Sequence, residues 1–195
     1  MNVTASTAQE VLDFWFGPGV GPHRGKPRPA WFSKSDVFDD EIRARFAGLH
    51  AAAAQGEHEG WLAAPESGLA LVVLLDQFPR NMYRGTPAAF ASDAQALAAA
   101  RTMVAQEFDV TLRPVERWFV YLPFEHAEDL DAQRESMRLF AQLADHAESA
   151  DAIDYARRHH EVIARFGRFP HRNAILGRSS TAAEVEFLET RGSAF

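Results

Sequence analysis

Hydrophobic positions are spaced as in helices nearly from end to end of this chain, and one run stands apart. Leu69, Ala70, Leu71, Val72, Val73, Leu74 and Leu75 are apolar on every face, the pattern of a helix surrounded by protein. This run is predicted to stop at Asp76-Gln77, because Phe78 precedes Pro79 and a residue before proline is pushed out of the α region. Around it lie amphipathic stretches. Thr7-Ala-Gln-Glu10 has capping-box spacing and leads into Val11, Phe14 and Trp15. From about Asp36 to Gly56, Phe38, Ile42, Phe46, Leu49 and Ala53 form one stripe, with Asp36, Asp39, Asp40 and Glu41 at the positive helix end. A short helix is predicted around Trp61, ending before Pro65.

Further along, Ser92-Asp-Ala-Gln95 reads as another capping box, with Leu97, Arg101, Val104 and Phe108 on one face. A helix opening at Pro114 turns Val115, Trp118, Phe119 and Leu122 inward until Pro123 breaks it. Leu130, Met137, Phe140 and Leu143 define the next. Ile153, Ala156, Ile163 and Phe166 define another, closed by Gly167. Thr181-Ala-Ala-Glu184 caps the last, with Val185 and Leu188 inward. Residues 17–30 hold four glycines and four prolines and form a loop. Strict two-residue alternation bounded by hairpin turns is missing. The expectation is an all-α single domain over 1–195 with about eight helices. No clean period of about 34 residues marks a regular solenoid, so the helix pairs stack irregularly.

Composition narrows the function. With 195 residues, 47% hydrophobic and 11% aromatic, the chain can bury a sizeable core. Twenty basic against 27 acidic residues give a charge of −7, which argues against nucleic acid or an anionic membrane as partner. Having no cysteine, the chain has no disulfide or thiolate chemistry. The start MNVTASTAQE lacks the features of a signal peptide, and the Leu69–Leu75 run is far shorter than the ~18 apolar residues of a membrane span. A cytoplasmic location is expected.

The candidate chemistry gathers at two similar corners. Phe78-Pro79-Arg80-Asn81 is followed by Tyr83, Arg84 and Gly85; Phe169-Pro170-His171-Arg172-Asn173 repeats the first pattern with one residue inserted, and Gly177 answers Gly85. The corners are expected to meet in space. With proline at the first helical position of each, free backbone N–H groups would sit beside guanidinium groups, a setting that suits phosphates and carboxylates. Arg80, Asn81, Arg84, His126, Arg168, His171, Arg172 and Asn173 are therefore the candidate ligand-binding residues. The competing reading makes these arginines braces, bonded to helix-end carbonyls or paired with Asp76, Glu125 or Glu128.

Asp76, at the end of an apolar helix, is a base if burial raises its pKa, or an ion-pair partner if an arginine lowers it. Asp76, Glu125, His126 and His171 would supply an enzyme, whereas His159 is expected to be satisfied within the core. No two of these histidines have ligand-like spacing and His-Glu-x-x-His is absent, so no metal is assigned. No serine elbow, phosphate-cradling loop or dinucleotide fingerprint appears, and no cofactor is implied. Trp15, Phe16, Trp31 and Phe32 flank the glycine-proline loop as core or loop anchors.

Taken together, Val11-Leu-Asp-Phe-Trp-Phe16, Trp31-Phe-Ser-Lys34 with Phe38-Asp-Asp-Glu-Ile42, Leu74 through Gly85, Tyr121-Leu-Pro-Phe-Glu-His126, and Arg165 through Asn173 running to Gly177-Arg178 resemble the bacterial family known as domain of unknown function 924. The resemblance spans nearly the whole chain. It implies an all-helical fold similar to tetratricopeptide-like right-handed superhelices and brings no activity. Three readings follow: binding of a small anionic molecule at the paired corners, a peptide-binding or protein-binding module, and a hydrolase-like enzyme.

Overall fold

The computed structural model describes residues 7–19, 24–190 and 192–193. The chain start read above for a leader, and the middle of the glycine-proline loop, lie mostly outside these residues. Among those described there are eight α-helices and no strands: α1 (Ala8–Phe16), α2 (Asp36–Ala54), α3 (Pro65–Met82), α4 (Asp93–Ala105), α5 (Pro114–His126), α6 (Leu130–Ala141), α7 (Ala150–Phe166) and α8 (Ala182–Leu188). The fold is all-α. Among the described residues no helix is long and apolar enough to cross a membrane.

Helix α3 is the axis of the packing. Every residue from Gly68 to Pro79 is buried, and α1, α2, α4 and α5 all pack on it. At its far end Phe78 meets Phe46, Trp15 and Phe14, with ring centroids 4.8, 5.6 and 6.1 Å away. The loop after α1 is tied down by side chains. Trp31 Nε1 donates to the Trp15 carbonyl at 2.8 Å and an Arg28 guanidinium nitrogen to that of Phe14 at 2.8 Å, satisfying carbonyls that a helix end leaves open. From α2 to α7, each helix packs against the next in sequence.

Several sequence expectations need correction. Helix α3 does not stop before Pro79 but runs through it to Met82. A proline inside a helix removes the hydrogen bond to the carbonyl four residues back, here Leu75. That carbonyl instead accepts the Ser92 hydroxyl at 2.6 Å. The same contact explains why the Ser92 capping box does not form: the hydroxyl that was expected to cap α4 is spent on α3. Helix α5 likewise continues through Pro123 to His126.

Leu97, Val104 and Phe108 pack against the core as expected but are only partly buried; the fully buried face of α4 is Ala96, Ala99, Ala100 and Met103, and Arg101 is exposed. Small side chains let α4 approach α3 closely: a Cβ on Gly68 would lie 3.2 Å from the Met103 sulfur. Met137 is 37% exposed, not inward. On α8 the inward residue is Glu184, while Val185 and Leu188 are exposed, because Arg168 draws the carboxylate in. The boxes at Thr7 and Thr181 form as read, and Gly167 ends α7 in the left-handed conformation at φ 69°.

Candidate functional site

The two corners do meet, through an aspartate to which the sequence had given no chemical role. Asp93, at the start of α4, receives Arg80 as a fork at 2.9 and 3.1 Å, and Arg172 Nη1 at 3.3 Å. The corners nonetheless differ in build. Pro79 is inside a helix, so Arg80 and Asn81 stand in the last turn of α3 where no free N–H groups exist. Pro170 opens only a three-residue 3₁₀ turn, Pro170–Arg172. The expectation of two anion-binding helix starts is therefore overturned, and any pull on an anion comes from side chains.

Of those side chains, Arg172 is the least neutralised. Its guanidinium lies 4.6 Å from both the Phe90 and the Phe169 rings, which hold it by cation–π contact. The residue is 6% exposed, and its buried Nε has no hydrogen-bond partner. Burial, with Arg80 nearby adding like charge, pushes its pKa down to about 10 despite Asp93. Arg172 lines a cleft of about 400 Å³ whose other walls include Phe90, Asp93, Leu97, His126 and Glu128.

Behind the cleft wall lies a second group of charges. Asp76 is fully buried, and its Oδ1 receives His126 Nδ1 at 2.8 Å and Arg80 Nη1 at 3.3 Å. Its Oδ2 accepts Gln77 Nε2 at 2.6 Å. Burial alone would raise the Asp76 pKa, but Arg80 and His126 outweigh it and hold the carboxyl below its usual range. Burial and Arg80 both lower the His126 pKa, against the opposing pull of Asp76. His171 beside Phe169 is pushed down to about 4, first by burial and then by Arg172.

The remaining candidates are placed elsewhere. Arg84 forks onto Asp39 at 2.9 and 3.0 Å, and Asn81 donates to the same carboxylate at 2.7 Å, tying α3 to α2. Arg168 forks onto Glu184 at 2.6 and 2.8 Å. Asn173 bonds Ser180 and Arg178, and Arg178 in turn pairs with Glu128. Glu125 faces His159 at 3.0 Å. Arg80, His126, His171 and Arg172 are thus brought near one another, whereas Arg84, Asn81 and Arg168 hold helices together and Asn173 ties its turn to residues 178–180. Reasoning from sequence missed Phe90 and Asp93; the only local signal at Asp93 was a capping pattern that the fold does not use.

An all-helical chain with a charged cleft beside Asp93, the residue on which both proline corners converge, is the class that fold and site define. A family model described as bacterial protein of unknown function (DUF924) matches residues 11–192, and the chain belongs to that family. It is similar to a solved structure of a protein of unknown function from Agrobacterium tumefaciens, at 41% identity and a TM-score of 0.83, covering 93% of this chain and 96% of the other. No curated protein matches.

Proposed function

We propose that this protein binds a small anionic molecule in the cleft lined by Arg172, Asp93 and His126. The observation that supports this is Arg172, a buried guanidinium between two rings with an unpartnered Nε and incomplete neutralisation. Burying a charge without full compensation is costly, and a bound carboxylate or phosphate would supply the missing counter-charge. The peptide-binding reading has less behind it, since, among the described large exposed apolar residues, Phe32, Val37, Val110, Met137 and Tyr155 sit on separate elements and Val185 and Leu188 alone share a helix, the seven-residue α8.

The test is a thermal-shift titration with inorganic phosphate, succinate and citrate. A ligand at 100 times its dissociation constant stabilises a fold by about 2.7 kcal/mol, roughly 5–10 °C in Tm for a chain of this size. The shift should disappear in Arg172→Met and persist in Arg84→Met, which instead starts from a lower Tm because Asp39 loses its fork. No shift with any of the three, or an undiminished shift in Arg172→Met, would sink the reading.

A further inference from the structure

We propose that Asp76 and His126 form a general-base pair in this cleft, and that its substrate is an ester bearing a free carboxylate, hydrolysed by a water that His126 activates. The proposal rests on the anion-binding reading for its substrate class but on separate residues for its chemistry.

The tautomer follows from the acceptors. Asp76 is an ionised carboxylate receiving Arg80 and Gln77 as donors, so at 2.8 Å it takes a proton-bearing His126 Nδ1. A neutral imidazole with Nδ1–H carries its lone pair on Nε2, the nitrogen left for the cleft that the ring lines. The lowered pKa of His126 keeps the ring neutral near pH 7. A buried carboxylate that fixes the ring while the far nitrogen accepts a proton is the arrangement used in general-base catalysis.

The walls of the cleft select the rest. Among the described residues its lining holds no serine, threonine, tyrosine, lysine or cysteine, and its two carboxylates, Asp93 and Glu128, are paired with arginines, so the proposed nucleophile is water. Arg172 is the cation that the lining presents, with Asp93 and Glu128 beside it, and it matches one carboxylate group of the substrate. Pro87, Leu97 and Leu176 offer an apolar surface to the body of the substrate. In the step itself, Nε2 takes a proton from water while the water oxygen bonds to the acyl carbon. The ester C–O bond then breaks, the alcohol oxygen leaves with the electron pair, and the proton on Nε2 passes to that oxygen or to solvent.

The experiment compares mono-4-nitrophenyl succinate with 4-nitrophenyl acetate. Wild type should hydrolyse the succinate ester in preference to the acetate. His126→Asn should lower its kcat at least tenfold, and Arg172→Met should raise KM at least tenfold with kcat little changed. Asp76→Asn removes a buried ion-pair partner and risks misfolding, so the second measurement uses the native chain: long-range ¹⁵N–¹H spectra should show His126 as the Nδ1–H tautomer. An Nε2–H tautomer, or a wild-type rate no greater than that of His126→Asn, overturns the proposal. Hydrolysis that depends on His126 with no succinate-induced thermal shift and no preference for the succinate ester would retain the base and discard the anion site. A succinate shift without hydrolysis would do the reverse.

Discussion

The two Phe-Pro corners share letters and almost nothing else. In the first, Phe78 and Pro79 are interior residues of a buried helix, and Phe78 sits among Phe14, Trp15 and Phe46. In the second, Phe169 and Pro170 stand between helices, and Phe169 belongs to a smaller cluster with Val162 and Ile163. The difference teaches that a Phe-Pro motif reports what the backbone tolerates, not which turn it makes. Proline stays inside a helix where another part of the chain supplies the donor it lacks, and here Ser92 does so.

The largest effect should separate the two corners directly. Phenylalanine-to-alanine changes in cores cost about 3–5 kcal/mol; Phe78→Ala should fall near the top of that range and Phe169→Ala near the bottom, as read from denaturant melts. Equal losses would mean that the corners carry the same share of the core.

Acid should weaken the second corner more than the first. His171 has a folded pKa of about 4 against 6.5 when unfolded, so on acidification the unfolded chain takes up its proton first. The stability it contributes is whole above pH 6.5 and is lost by about pH 4, on the order of 3 kcal/mol. Unfolding free energies at pH 7 and pH 4.5 should therefore converge in His171→Asn relative to wild type. Some slope should remain, because the pKa values of His50 and His126 are also lowered.

The smallest effect is the most specific to the first corner. Ser92→Ala leaves the Leu75 carbonyl buried without its donor, a loss of about 1–3 kcal/mol. Adding Pro79→Ala restores a backbone N–H four residues on, so the double variant should lose less than the two single losses combined. Simple additivity in that cycle would remove Ser92 from the explanation of how α3 passes through its proline.

Much of this was legible in advance, for reasons that lie in particular residues. The Leu69–Leu75 run and the boxes at Thr7 and Thr181 carry their cause locally, so helix number, the central helix and two caps could be read from the chain. Pro79 misled because its compensation lies in a different helix. The α4 face misled because Ala96, Ala99 and Ala100 give little apolar contrast, and α8 misled because a charged pair, Arg168 with Glu184, overrides the usual sense of inward. At the site the arginines were visible and their partners were not. Asp39, Asp93 and Glu184 decide which guanidinium groups act as braces, and only packing brings them within reach.

Sequential packing from α2 to α7 also has a kinetic consequence. Contacts between chain neighbours close short loops at small entropic cost and favour rapid folding, and a chain emerging from the ribosome builds from its N-terminal end. The aromatic core around α3, with Arg80, Asp93 and His126 already in place, thus precedes the segment that carries Arg172. If folding follows chain order, the cleft is completed only when the segment carrying Arg172 docks onto Asp93, which Arg80 already holds.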